Sequence, residues 1–195
     1  MLRRAWADPA VRAALLTVVV ARVALEVLGL ATTAFVPPHA YGEQRFFSTP
    51  AQHPLLEPFQ REDAVWYQHI AVAGYDVPQA AAFMPLYPML IRAFGYVVGS
   101  QSVAALLLST VATGVALLLL HRLTTAELGA AAATRTVVLI ALAPAAYFLW
   151  SPFTEGLFLL ESVAVFWFAR QRRYALTGLV CALAVATRPQ GALLL

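Results

Sequence analysis

The stretch Arg61–Tyr96, REDAVWYQHIAVAGYDVPQAAAFMPLYPMLIRAFGY, is the polar and aromatic interruption in an otherwise apolar chain. It gathers acids, Arg, His, Trp and Tyr between a Pro-rich segment and a long apolar run. Glu62 to Ala73 has helical spacing, with Glu62, Trp66 and His69 on one face and Asp63, Tyr67 and Ile70 on the adjacent one. Gly74 stands where a helix ends in left-handed backbone. Phe83 to Val98 predicts a second short amphipathic helix, with Pro85 and Pro88 near its start and Arg92 inside it. Neither segment is long or apolar enough to cross a bilayer. Both read as helices lying along the lipid–water boundary, with aromatic rings at headgroup depth.

Outward from this stretch the chain is apolar. Of its 195 residues, 61% are hydrophobic and 12% charged, against about 25% charged in soluble domains. The fold class is therefore an all-α integral membrane protein, a multi-span helical bundle. Residues 1–9 form a cytoplasmic N-terminus, in which Asp8 caps a helix that Pro9 begins. Residues 10–35 are the first membrane helix. A cleaved signal peptide is the competing reading there, because Ala31 to Ala34 are small, but Arg22 and Glu26 break the apolar core such a peptide needs. Residues 36–100 make a large outer loop carrying the two interfacial helices.

Residues 101–195 hold membrane helices two to five. These run over Val103–Leu120, Ala130–Trp150, from a Ser151-Pro152 cap to Ala169, and over Tyr174–Ala186. Thr124 and Glu127 have capping-box spacing for the third. The chain stops inside an apolar run, GALLL, so further membrane helices are expected beyond it.

The formal charge of +3 and the lack of a basic cluster argue against nucleic acid. Cys181 has no partner for an internal disulfide. His39, His53 and His69 lack metal-ligand spacing, and the chain contains no Gly-rich phosphate loop and no nucleophile elbow. All thirteen basic residues are Arg. Arg3, Arg4, Arg122, Arg135, Arg170, Arg172 and Arg173 fall at alternate ends of successive helices, which the positive-inside rule makes the cytoplasmic side. Three polar patches then converge on the outer face: the 36–100 loop, the Ser151–Glu155 turn and the turn at Arg188.

Asp63 opens an interfacial helix. It is either a carboxylate that takes a proton from an acceptor hydroxyl or an acid that complements the helix dipole. Glu155 lies in the first turn of a span near the hydrocarbon boundary, where a carboxylate needs a partner, and Arg188 is the natural one. Arg188 reads either as a snorkelling anchor or as a fixed cation gripping a phosphate. Arg22 and Glu161 reach similar depth within their spans and are expected to pair across the bundle. The alternative is an i,i+4 pair of Arg22 with Glu26.

Arg61-x-Asp63-x-x-Trp66-Tyr67-x-x-Ile70-Ala71-x-x-Gly74-Tyr75, followed by Ala82-Phe83-Met84-Pro85-Leu86-Tyr87-Pro88, resembles prokaryotic relatives of the class V glycosylphosphatidylinositol mannosyltransferase family. Ser151-Pro-Phe-Thr-Glu155-Gly-Leu-Phe158 and Thr187-Arg188-x-x-Gly191 are similar to that family's later motifs and follow in the same order. The resemblance implies a glycosyltransferase of the GT-C superfamily. Such an enzyme uses a polyprenyl-phospho-mannose donor and transfers mannose with inversion to a lipid or protein acceptor. It would act from the extracytoplasmic face of a multi-pass plasma-membrane protein.

By the same resemblance Asp63 is the base and Arg188 binds the donor phosphate. Glu155, Arg61, Glu62, Trp66, Tyr67 and Tyr87 shape the site. No cofactor is implied, and a divalent cation stays open. The chain departs from the family in carrying Glu62 where Trp usually precedes the acid, which leaves open which of Glu62 and Asp63 faces the acceptor. Phe153 and Thr154 replace the common Tyr and Ser. The competing class is a non-catalytic membrane protein, a transporter half or assembly subunit. It would put its sensitive polar residues, such as Arg22 and Glu161, along a mid-membrane path.

Overall fold

The computed structural model describes residues 8–35 and 55–195, and among these every regular element is helical. Arg3, Arg4, His39 and His53 lie outside the described residues. Helix α1 (Pro9–Phe35) begins as its sequence dictates: Asp8 Oδ1 accepts from the Ala10 amide at 2.8 Å, and Pro9 takes the first position. The two short helices follow, α2 (Asp63–Ala73) and α3 (Leu86–Val98). Gly74 ends α2 at φ 82° and ψ −158°, a positive-φ stop outside the left-handed helical region expected for it. Arg92 of α3 reaches back to the Ala71 and Val72 carbonyls at 2.6 and 2.8 Å, satisfying acceptors that the end of α2 leaves over.

Helix α4 (Gln101–Leu128) is the axis of the bundle, packing against α1, α3, α5 (Ala130–Leu142) and α7 (Glu155–Arg170). Its 28 residues run about 42 Å at 1.5 Å each, more than the ~30 Å hydrocarbon core. Ser100 caps it by accepting from Val103 N. It continues unbroken through Thr124 and Glu127, so the expected capping box there does not exist. Ala105, Ser109, Ala112, Thr113 and Ala116 give it a buried row of small side chains. Small residues let helix backbones approach closely, which is how helices associate where lipid removes the hydrophobic drive.

Two cores sit at opposite halves of α4. Tyr67, Tyr87, Ile91, Ala105 and Leu157 pack toward its start, and Ala14, Ala21, Leu117, Val137 and Trp150 toward its end. On α1, Leu16, Val19, Val20, Val23 and Val27 are exposed and form a lipid-facing stripe.

The third expected span is broken. Pro144 has no amide hydrogen and forces Ala143 to ψ 150°, so α5 stops at Leu142. After a bend of 68° a 3-10 turn leads into α6 (Tyr147–Trp150). Trp150 Nε1 donates to the Ala141 carbonyl at 3.1 Å, filling one of the places the break leaves. The fourth expected span, α7, begins at Glu155, with Thr154 rather than Ser151-Pro152 at its N-cap position and no side-chain capping bond there. Helix α8 (Tyr174–Thr187) follows the expected bounds within a residue. Pro9–Thr32 and Gln101–Leu128 are each long and apolar enough to cross a membrane, α5 with α6 is so only as a bent pair, and α7 and α8 are 16 and 14 residues long.

Arg22 does not meet Glu161. It pairs with Glu26, donates to the Trp150 carbonyl at 2.8 Å and lies over the Phe59 ring at 4.2 Å. Glu161 instead takes the Thr187 hydroxyl at 2.9 Å. The i,i+4 pairing wins because Glu26 sits one turn along the same helix, while Thr187 ends the helix packed beside Glu161.

Candidate active site

Three helix ends meet in an open cleft of about 320 Å³. Asp63 is the first residue of α2 and Glu155 the first of α7, each an acid in a first turn where the helix dipole favours negative charge. Arg188 follows the last residue of α8 in extended backbone, φ −150° and ψ 142°. Its Nη1 meets Glu155 Oε1 at 2.7 Å, each side chain about one-third exposed. Tyr67 lies one turn along α2 from Asp63 and lines the same cleft, with Thr154, Thr187, Phe83 and Met84 filling the remaining wall.

Tyr67 lies with Thr154 in the wall of the cleft. Burial pushes its phenol up to about 12, helped by the negative charges of Asp63 and Glu155 and opposed by Thr154 and Arg188. Tyr67 is therefore a neutral, protonated group at physiological pH, set among two carboxylates and a guanidinium. The second oxygen of Glu155 is buried and has no protein hydrogen bond among the described residues.

Glycines make the convergence sterically possible. A Cβ on Gly156 would stand 2.4 Å from Thr113 Oγ1 and 2.8 Å from the Leu149 carbonyl, so only Gly lets the start of α7 lie against α4. A Cβ on Gly191 would meet the Ala184 backbone at 2.3 Å, where the 3-10 turn Pro189–Leu194 folds back on α8. The spacing of Arg188 to Gly191 thus has a backbone reason. On α4, Ser109 Oγ donates to the Phe153 carbonyl at 3.1 Å and Thr113 Oγ1 to the Leu149 carbonyl at 2.6 Å. One helical turn apart, these hydroxyls hold the end of α6 and the irregular turn 151–154 that presents Thr154 and Glu155.

The other expected site residues are distributed around the cleft. Glu62 is exposed at φ 49° and precedes Asp63 in a turn closed by Ala64 N to the Arg61 carbonyl at 3.1 Å; it is not among the residues that line the cleft. Arg61 lines a separate apolar groove of about 390 Å³ with Phe59, Tyr147 and Leu28. Trp66 stacks on Phe83 at 5.6 Å and backs the wall. Tyr87 is fully buried beneath, edge-on to Tyr67 at 5.1 Å, its hydroxyl 2.6 Å from Ser109 Oγ.

His69 pairs with Asp76 at 2.7 Å. Among the described residues no three His, Cys, Asp or Glu side chains are grouped as metal ligands.

Thr187 stands in the sequence only as part of the Thr187-Arg188-x-x-Gly191 motif, and Ser109 and Thr113 escaped the sequence reading. The last two had a usable signal, being hydroxyls four apart inside an apolar span.

The mannosyltransferase (PIG-V) family model matches residues 14–194, nearly the whole chain. The chain belongs to that family. It is a membrane glycosyltransferase that transfers mannose, and the three motifs that make the cleft all fall inside the match. No curated protein and no solved structure matches the chain.

Proposed function

We propose that the cleft transfers a mannosyl residue from a polyprenyl-phosphate-linked donor to a hydroxyl of a lipid or protein acceptor, with inversion at the anomeric carbon. The observation that carries this reading is the meeting of Asp63, Glu155 and Arg188 on one cleft, built from three separate helix ends.

The acceptor oxygen forms its bond to the anomeric carbon as the bond from that carbon to the phosphate oxygen breaks. The acceptor proton passes to Asp63, and the polyprenyl phosphate departs with its new negative charge against Arg188. Arginine's fork suits a phosphate oxygen better than a point charge does. Glu155 holds Arg188 in place before the donor arrives. Tyr67 supplies a neutral donor between the two carboxylates. A single displacement gives inversion.

A lipid phosphate requires a site near the membrane surface, and helices α2 and α3 are too short to span. The opposite end of the bundle carries Asp8 with Arg122 at 2.8 Å, Glu127 with Arg170, and the α7–α8 turn with Arg172 and Arg173. By the positive-inside rule that end is cytoplasmic, and the cleft faces outward from the plasma membrane. The non-catalytic alternative favours mid-membrane polar residues such as Arg22 and Glu161 along one path, and these two engage separate partners.

The donor class is tested with membranes carrying the full-length gene product. They are given radiolabelled polyprenyl-phospho-mannose or, separately, a nucleotide-linked mannose with synthesis of the lipid donor blocked. Label entering acceptors from the lipid donor alone supports the reading. Transfer from the nucleotide sugar alone contradicts it.

A further inference from the structure

Helix α7 touches the end of α8 twice. At the rim Glu155 meets Arg188, and six residues along α7, about 9 Å deeper, Glu161 meets Thr187. The two contacts differ in kind. Glu155 and Arg188 are partly exposed and face the cleft, whereas Glu161 is 5% and Thr187 1% exposed. Thr187 is the last residue of α8 and immediately precedes Arg188.

The proposed chemistry, on which this inference rests, brings a phosphate to Arg188. A phosphate competes with Glu155 for the same guanidinium, so the rim contact is loosened when the donor binds. In the deeper contact Glu161 is not among the residues that line the cleft, whereas Thr187 lines it beside Arg188. We infer that Glu161 is a positioning residue. Through Thr187 it holds the end of α8 in register with α7, so that Arg188 keeps its place once the donor has drawn it from Glu155.

The surroundings fit this task. Backbone bonds from Arg188 N to the Ala184 carbonyl and from Gly191 N to the Arg188 carbonyl, each 2.9 Å, set the local turn but do not tie it to α7. At this depth Glu161 to Thr187 is the side-chain hydrogen bond that crosses between the two helices. A leucine at 161 would fill a similar volume and serve packing equally well. A carboxyl there brings the cost of burying a polar group, and one of its oxygens has no hydrogen bond among the described residues. Its use lies in the bond it makes.

The experiment measures the affinity of the purified full-length protein for polyprenyl phosphate, the leaving group, together with its thermal stability in detergent. The variants are Glu161→Gln, Glu161→Leu, Thr187→Val and Arg188→Gln, and Glu161→Leu is also combined with Arg188→Gln. Glutamine preserves a hydrogen bond to Thr187 and should bind like wild type. Glu161→Leu and Thr187→Val should each weaken binding by roughly three- to tenfold, the worth of one hydrogen bond. In the Arg188→Gln background, Glu161→Leu should add no further loss.

If Glu161→Leu does not fold, Thr187→Val carries the same comparison. The inference is overturned if Glu161→Leu binds like wild type while Arg188→Gln is impaired, a result that leaves the phosphate site standing. It is also overturned if glutamine is as harmful as leucine, or if the loss is the same without Arg188. Binding unaffected by Arg188→Gln would remove the phosphate reading and this one together.

Discussion

Glu62 sits at the first central position of the turn that leads into α2, and its φ of 49° belongs to the glycine-favouring turns. A non-Gly residue held there costs about 1–3 kcal/mol. Glu62→Gly should therefore raise the melting temperature in detergent while leaving mannosyl transfer near wild type, because Glu62 is not among the residues that line the cleft. A large loss of transfer in a stable Glu62→Gly protein would make Glu62 the base.

Tyr67 gives a second prediction at this scale. Its folded pKa, about 12, lies above the ordinary ~10, so the folded state holds the phenolic proton more tightly than the unfolded one. The resulting stabilisation, about 3 kcal/mol, is complete below pH 10 and is lost as pH rises through 12. Tyr67→Phe should abolish that alkaline loss in denaturation profiles. These surroundings were invisible in the sequence. Helical spacing put Asp63 and Tyr67 on one face, but the choice between Asp63 and Glu62 depends on a turn whose backbone a non-glycine residue does not announce.

At the scale of elements, the site depends on close approaches of backbone. Gly156→Ala drives a methyl into Thr113 and the Leu149 carbonyl, and Gly191→Ala drives one into the backbone of α8. Each should lower stability by about 1–3 kcal/mol and transfer more steeply than stability, since each displaces a helix end that carries Glu155 or Arg188. Thermal unfolding beside activity at a permissive temperature measures both. Gly178→Ala, whose Cβ would meet open space within α8, should leave transfer unchanged and raise stability by up to about 1 kcal/mol.

The elements themselves were largely legible. Periodicity and punctuation gave α1, α2 and α8 nearly to the residue, because Pro9, Gly74 and Pro189 mark real ends, whereas α3 starts at Leu86, three residues after the expected Phe83. The break at Pro144 also has a sequence signal, yet the surrounding apolar run reads as one span because hydropathy averages over a single proline. The start of α7 slipped from Ser151 to Glu155. The reason is tertiary: the hydroxyls of Ser109 and Thr113, on a distant helix, hold the carbonyls of Phe153 and Leu149, fixing the non-helical turn 151–154 between α6 and α7.

For the whole molecule, alternation of Arg clusters along the sequence corresponds to a bundle with an arginine-rich end and a cleft end. Asp8 with Arg122 and Glu127 with Arg170 tie the first of these together. In a full-length protein made Cys-free by replacing Cys181, Gln79→Cys should react with a membrane-impermeant thiol reagent in intact cells. Arg172→Cys should react only after lysis. The reverse pattern would put the cleft on the cytoplasmic side. The sequence predicts an orientation through a charge count along the chain, and the labelling pattern tests it. The Arg22–Glu161 pairing was misjudged because equal depth in a bilayer does not specify which helices are neighbours.

The central claim is that the carboxylate of Asp63 takes the acceptor's proton as mannose leaves a lipid phosphate held by Arg188. The direct test is transfer from polyprenyl-phospho-mannose by membranes carrying equal amounts of wild type and Asp63→Asn, a substitution that keeps shape and removes charge. Loss of a proton acceptor predicts a fall of about 10²–10⁴-fold with donor binding retained. An Asp63→Asn protein that transfers mannose at the wild-type rate would contradict the account.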